Sequence, residues 1–295
     1  MQKKVLKNII HYNDCWFRNC FYQQLVAAYG AFGIPADYVV CNYTIDIDFS
    51  DDNETLDIRE HEILDEDEFS ALTGICQKRV RFEDVCKQLC TAVRSGNPVI
   101  LGADSFYLPT RTQYYNQKHA PHYLLVYEFD LKRKMFTVGE NDGIAIFHFT
   151  EKEVPFDVIE QTYHSFEERF ASPDSAVQLE IAKKCPLYLR ADALNKLKKD
   201  FCERNYIQYV SFYRMLLEKS WTVEELSSWL EFAIKYTNFF RILMKQCSYM
   251  FGEPKKLNVL ADIWHDALSS LEILKDAIRL GQPELMNSER NEKIP

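Results

Sequence analysis

The stretch HYLLVYEFDLKRKMFTVGEN, residues 122–141, decides the fold class of the first half of the chain. Two apolar runs rich in β-branched and aromatic residues, HYLLVYEFD and KMFTVGEN, are separated by a short charged connection. This pattern predicts two antiparallel strands joined as a hairpin. The NDG turn at 141–143 and the alternating IAIFHF after it predict a third strand, so the segment is predicted to form an antiparallel meander.

The segments before this meander predict more strands and one surface helix. YVVCNYTIDIDF (38–49) and NPVILGAD (97–104) have the alternating or continuous apolar character of strands. RFEDVCKQLCTAVRSG (81–96) has apolar residues at helical spacing and ends in a glycine stop. The acidic run at 46–68 is interpreted as a solvated connection. The first half is therefore predicted to be α+β with an antiparallel sheet.

The second half has the pattern of long helices. SPDSAVQLEIAKKC (172–185) opens with a serine–proline pair that is typical of a helix start. Residues 222–254 begin with a capping box and end at a glycine–proline stop, which predicts a long helix. The chain is therefore predicted to divide into an α+β domain, 1–165, and a C-terminal helical bundle, 166–295.

Composition and charge exclude some classes of partner. The net charge of -9 and the pI near 5.4 argue against nucleic acid or an anionic membrane, because both require a clustered basic surface. No stretch approaches the roughly 20 apolar residues that span a bilayer. MQKKVLKNIIHYND has too short an apolar run for a secretory signal, so a cytoplasmic protein is expected. The nine cysteines lack regular spacing, which indicates reduced thiols rather than a disulfide framework.

The residues that cysteine chemistry requires occur in order along the chain: a nucleophile, a base and an acid that orients the base. In RNCFYQQLVAAYGAFG (18–33), Asn19 is placed to cap a helix whose first turn contains Cys20. Backbone N–H groups and the helix dipole there are expected to lower the pKa of the thiol and to hold an oxyanion. His122 begins an apolar strand, and Glu140 ends the strand predicted to pair with it, where it could accept the imidazole N–H.

NCFYQQLVAAYGAFG, GNPVILGADSFYLP and HAPHYLLVYEFD resemble the N-terminal domain of the butirosin biosynthesis protein H family, over roughly residues 1–160. The resemblance implies a papain-like (cysteine peptidase-like) domain. It implies a cysteine acyltransferase that moves an acyl or peptidyl group from a carrier-protein thioester to an amine in natural-product and antibiotic biosynthesis. Cys20 would be the nucleophile, His122 the base, and Glu140 or Asp142 the third member of the triad. Members of that family usually carry aspartate where Glu140 stands.

The resemblance also implies the partners of the reaction. These are an acyl or peptidyl carrier protein and a small-molecule amine acceptor. The chain is expected to need no cofactor of its own, because phosphopantetheine is carried by the partner protein.

A tyrosine-rich segment, DSFYLPTRTQYYNQKHAPH (104–122), lies directly ahead of the predicted base. We interpret it as a pocket wall that contacts the acyl chain or phosphopantetheine, with a plain surface loop as the alternative. The candidate substrate-binding residues are Asn19, Tyr107, Arg111, Tyr114 and His119.

Further alternatives stay open. Cys15, in DCWF, is the rival nucleophile, and His119 is either a loop residue or a second proton carrier. Zinc could be held by Cys15, Cys20, His119 and His122, but no close C-x-x-C pair is present, so no metal is expected. The same cysteine and histidine could instead serve a thioesterase or peptidase, or the chain could be a non-catalytic module that binds a carrier protein.

Overall fold

The computed structural model describes residues 2–9, 19–50, 55–142, 148–182 and 191–201, and single residues at 203, 204, 207, 208, 234, 237 and 269. The helices are α1 (Cys20–Gly30), α2 (Ala36–Cys41), α3 (Glu66–Thr73), α4 (Val85–Ser95) and α5 (Phe156–Phe170), with a short 3-10 helix at Ser105–Tyr107. Residues 191–201 are also helical. The strands are β1 (Lys3–Val5), β2 (Thr44–Ser50), β3 (Thr55–His61), β4 (Ile75–Arg79), β5 (Val99–Asp104), β6 (Pro121–Asp130), β7 (Met135–Asp142), β8 (His148–Pro155) and β9 (Ala176–Ile181).

Seven of these strands form an antiparallel sheet, so the predicted α+β class is confirmed for the part of the chain that the structure describes. The sheet has the order β4-β9-β5-β6-β7-β8, and β1 pairs with the end of β6. The predicted hairpin is present: β6 pairs with β7 from Leu125 opposite Gly139 to Asp130 opposite Met135. On its other side β6 pairs with β5, which sets Ala103 opposite His122. The centre of β6 is fully buried, because α1 and α4 both pack against it.

Helix α1 begins where the sequence predicts it. The Asn19 side chain accepts a hydrogen bond of 3.0 Å from the backbone N–H of Tyr22 and so satisfies a group that the first helical turn leaves open. From Tyr22 to Gly30 every residue of the helix is buried. The helix therefore lies in the interior, where it packs mainly against β6. Its N-terminus is therefore held by the core of the sheet domain.

Three secondary-structure predictions are wrong. Tyr38–Cys41, predicted as strand, belongs to α2, which begins after Pro35 and has Asp37 in its first turn. The acidic run is not a plain connection: its first residues belong to β2 and its middle to β3, which pair as a separate two-stranded sheet, and its last residues enter α3.

The segment opened by Ser172 and Pro173 is likewise not a helix. It forms β9 (Ala176–Ile181), because its backbone pairs with β4 on one side and β5 on the other. Helix α4 is as predicted, and its C-cap Gly96 adopts the left-handed conformation with φ of 95°.

The chain separates into two compact units. One consists of Met1–Thr44 and Glu60–Phe201, and the other of Ile45–Arg59 and Cys202–Pro295. The predicted boundary at 165 falls inside α5, and β9 still belongs to the main sheet. The C-terminal helical bundle falls almost wholly outside the described residues and stays a prediction. Along the residues that are described, no helix has the length and apolarity that crossing a bilayer requires.

Candidate active site

Cys20 lies in the first turn of α1, against the beginning of β6. The sulfur faces the backbone N–H of Tyr123 and the N–H groups of Cys20 and Phe21 at the start of the helix. Four residues further along α1, the Gln24 amide donates a 3.1 Å hydrogen bond to the carbonyl of Tyr123. Pairing of β6 with β7 starts only at Leu125, so the backbone ahead of it is open to α1. The start of α1 and the start of β6 thus meet at Tyr123, the residue after His122.

The Cys20 thiol is protonated in this environment. Burial raises its pKa, and this effect outweighs the surrounding backbone N–H groups and the charge of Arg111, which act in the opposite direction. Phe21 contributes to the burial, since its ring packs edge-on against Tyr123 with centroids 5.1 Å apart. The backbone N–H groups at the helix N-terminus therefore lower the pKa of this thiol as expected, but the net direction is opposite to the expectation because burial has the larger effect. The donors are present, but their combined effect on the pKa is smaller than that of burial.

His122 is almost fully buried at the start of β6, with 3% of its surface exposed. Its Nε2 lies 3.8 Å from Oε1 of Glu140 and makes no hydrogen bond within the described part of the chain. Burial and the nearby charge of Arg111 lower the pKa of His122 to about 3, and the carboxyl group of Glu140 does not reverse this direction. The imidazole is therefore neutral near pH 7 and able to accept a proton.

Glu140, near the end of β7, is shared between His122 and Arg111. Its Oε1 lies 3.8 Å from the imidazole Nε2 and 4.0 Å from the guanidinium Nε. Neither distance is that of a hydrogen bond. Only 1% of the Glu140 side chain and 13% of the Arg111 side chain are exposed. Arg111 also stacks over the ring of Tyr114 at 5.5 Å. The structure thus brings together Cys20, His122, Glu140 and Arg111.

Two other candidates cannot be placed in this group. Asp142 is the last residue of β7, opposite His148 in the register of β8, but its side chain lies outside the described residues. Cys15, the rival nucleophile and a member of the suggested zinc set, also lies outside them. Among the side chains that are described, no three His, Cys, Asp or Glu residues cluster as metal ligands.

His119 belongs to a second polar cluster, centred on Asp104 at the end of β5. The imidazole Nδ1 lies 2.6 Å from Oδ2 of Asp104, and the ring stacks on Phe106 at 4.4 Å. Ser165 donates a further hydrogen bond of 2.7 Å to the same oxygen. Burial acts to raise the pKa of Asp104, but the hydrogen bonds from His119 and Ser165 outweigh it and hold the pKa below its ordinary value. Asp104 is fully buried, whereas a third of the His119 side chain is exposed.

The remaining substrate-binding candidates have structural surroundings of their own. Asn19 caps α1, and Tyr107 packs edge-on against Phe106. Sequence reasoning missed Gln24 and Asp104. Asp104 could have been noticed, because an aspartate that directly follows a buried apolar strand needs partners for its charge. Gln24 carries no such indication, since a glutamine within a helix is ordinarily solvent-exposed.

One family model matches this part of the chain. The model of the DUF1839 N-terminal domain, the family of the butirosin biosynthesis protein H N-terminal domain, matches residues 7–177, more than half of the chain. A search of curated proteins found none that matches. The matched segment contains α1, β6 and β7 with Cys20, His122 and Glu140. The chain therefore belongs to the DUF1839 N-terminal domain family.

Proposed function

We propose that the protein is a papain-like cysteine acyltransferase that moves an acyl or peptidyl group from a carrier-protein thioester to an amine. One observation carries the proposal: the Cys20 sulfur, at a helix N-terminus, meets β6 at the residue after His122, whose imidazole faces Glu140. A nucleophile, a base and an acid beside that base are the parts that such a reaction needs. The cytoplasm is the proposed location.

The orientation of the imidazole supports these roles. Nε2 is the nitrogen that faces Glu140 at 3.8 Å, which leaves Nδ1 to exchange a proton with the Cys20 sulfur. The N–H groups of Cys20 and Phe21 at the start of α1 are donors for the oxyanion that forms when the thioester is attacked. Asp142 is the second candidate for the acid. Of the two, Glu140 has the supporting contact.

The proposed reaction has two halves. In the first, Nδ1 of His122 takes the thiol proton as sulfur attacks the thioester carbonyl, and the carrier thiol leaves with that proton. In the second, the amine nitrogen attacks the acyl-enzyme and gives its proton to His122, which returns it to the departing Cys20 sulfur. The imidazole must be neutral at the start of each half, and the burial of His122 supports this requirement.

Intact mass spectrometry tests the proposal. The protein is incubated with carrier proteins loaded with carboxyl-bearing and neutral acyl groups. Wild type and the matched control Cys76→Ala, at a half-buried thiol in β4, should gain the acyl mass, whereas Cys20→Ala should not. Absence of added mass on the wild type with every donor would contradict the proposal. Addition of an amine separates transferase from thioesterase or peptidase, because the product is an amide rather than a free acid.

A non-catalytic module that binds a carrier protein is the second candidate. The observation in its favour is that the resting thiol and imidazole are both neutral, so the two groups do not form a thiolate–imidazolium pair in the free protein. This candidate predicts that wild type and Cys20→Ala bind an acylated carrier protein equally, without transfer of mass. Co-elution of the two proteins in size-exclusion chromatography, together with the mass measurement, distinguishes the two functions.

A further inference from the structure

Gln24 is a fully buried polar side chain one helical turn after Cys20 in α1. Its Nε2 donates the 3.1 Å hydrogen bond to the carbonyl of Tyr123. Its Oε1 is also buried and has no hydrogen-bond partner in the part of the chain that the structure describes. An unpaired amide oxygen is costly in a core, and a leucine would fill a similar space without that cost. The hydrogen bond to Tyr123 is therefore what distinguishes this glutamine from an apolar residue.

The backbone of Tyr123 points away from β5. Gly102, which lies opposite Tyr123 in the register of β5, donates its N–H to the carbonyl of Ser175 at 2.7 Å, on the other side of β5. Opposite residues in antiparallel strands exchange either two hydrogen bonds or none, so Tyr123 belongs to a pair that exchanges none. Its N–H and C=O are therefore directed to the side on which β7 joins β6, where pairing begins only at Leu125.

Two side chains of α1 occupy the places that a neighbouring strand would fill. The Cys20 sulfur faces the N–H of Tyr123, and the Gln24 amide donates to the C=O of the same residue. Residues four apart lie on one face of a helix, so one turn of α1 reaches both backbone groups. Phe21 adds an edge-on contact with the Tyr123 ring. The start of α1 and the start of β6 are thus joined through one residue.

From these contacts we propose that the backbone N–H of Tyr123 is a catalytic donor to the Cys20 sulfur and that Gln24 is the positioning residue that holds it there. This inference rests on the proposed function, in which Cys20 is the nucleophile. The N–H stabilises negative charge on the sulfur as the thiol loses its proton, and again when Cys20 leaves the acyl-enzyme. This donor comes from the strand, whereas the oxyanion donors proposed above come from the helix.

The same hydrogen bond also fixes the base relative to the nucleophile. His122 directly precedes Tyr123, and its Nε2 makes no hydrogen bond within the described part of the chain. The position of the imidazole beside Cys20 therefore depends on the backbone at the start of β6. Without the amide of Gln24 this backbone is free to move away from α1, and both the N–H donor and the imidazole move with it.

Alkylation of Cys20 by iodoacetamide tests the inference without acyl transfer. The rate at each cysteine is measured by peptide mass spectrometry at pH 8 in the wild type and in Gln24→Met, which has a side chain of similar length and no donor. We expect the rate at Cys20 to fall about 10-fold in the variant, because a donor to a charged sulfur is lost. Gln23→Met, at the neighbouring buried glutamine, is the matched control and should leave this rate near that of the wild type.

The direction of the change separates a positioning role from a merely structural one. If Gln24 only stabilises the fold, Gln24→Met loosens the core, and alkylation of Cys20 rises together with that of Cys41, a fully buried thiol in α2. Either a rise or no change at Cys20 would overturn the inference. Gln24→Leu is a second variant with the same expected fall, in case the methionine variant does not fold.

Acyl loading distinguishes failure of this inference from failure of the proposed function. If the wild type gains the acyl mass but Gln24→Met is alkylated at the wild-type rate, only this inference is removed. If Gln24→Met is alkylated more slowly but the wild type gains no acyl mass from any donor, only the proposed function is removed, and the N–H of Tyr123 remains a donor to the sulfur.

Discussion

Acid should destabilise the fold through His122. An unfolded histidine titrates near 6.5, whereas burial and Arg111 lower the pKa of His122 to about 3 in the folded protein. The unfolded chain therefore binds this proton more tightly. The stabilisation from His122 is complete above pH 6.5 and is lost as the pH falls from there towards 3. Each pH unit in this window costs about 1.4 kcal/mol, so a change from pH 7 to pH 5 costs about 2 kcal/mol at this residue.

Urea unfolding followed by tryptophan fluorescence measures this effect. The free energy of unfolding is compared at pH 7 and pH 5 for the wild type and for His122→Gln. Other groups titrate in both proteins, so the difference between their two pH dependences isolates His122. Any loss of packing in the variant is present at both pH values and cancels. We expect the wild type to lose about 2 kcal/mol more than the variant over this range.

Equal losses in the two proteins would refute the argument. That result would mean that the imidazole accepts a proton without cost, with Glu140 compensating for its charge in the folded state. The pKa of His122 in the folded protein would then be close to its ordinary value near 6.5, and only a smaller loss in the wild type than in the variant would indicate a preformed imidazolium. His122→Asn provides a second variant in case the glutamine does not fit, since the comparison uses only pH differences.

Three further predictions concern the site and the core around it. Because the resting thiol is protonated, the rate at which iodoacetamide alkylates Cys20 should rise about 10-fold per pH unit between pH 6 and 8. A rate that does not depend on pH would indicate a preformed thiolate. Gly102→Ala should destabilise the fold by ~1–3 kcal/mol in thermal unfolding, because its new methyl group overlaps the buried ring of Phe166. If this overlap is the cause, adding Phe166→Leu to the Gly102→Ala variant should restore part of the lost stability. Asp104→Ala should cost about 3 kcal/mol in urea unfolding, because it leaves one buried and two partly buried donors without their acceptor. A change within error would mean that the cluster around Asp104 does not stabilise the fold.

Features that local sequence determines could be predicted. The cap at Asn19 depends on a side chain and an N–H three residues apart, and the β6–β7 hairpin depends on two apolar runs with a short charged connection. Both can be recognised in a window of about 20 residues. The convergence of Cys20 and His122 on one region also follows, once the order of helix, strand and paired strand is known.

Features that depend on distant partners could not be predicted. The segment Ala176–Ile181 is a strand because β4 and β5 lie on its two sides, and nothing in its own composition overrides the helical appearance of its start. The pKa of Cys20 is raised because the N-terminus of α1 is buried against Tyr123, which is more than a hundred residues away along the chain. Propensity and spacing describe the donors around a thiol, but burial, which here decides the direction, is a property of the tertiary fold.

The protonation states of Cys20 and His122 in the resting protein determine at which step the proposed reaction would select its acyl donor. A preformed thiolate would react with any thioester that reached it. A neutral thiol beside a neutral imidazole reacts only when the proton can move, and the charge of Arg111 opposes its arrival on His122. Movement of the proton to His122 would then have to accompany attack on the thioester, so selection would occur at formation of the acyl-enzyme rather than at binding of the carrier protein. The proposed function therefore implies that a donor can bind to the protein without being transferred.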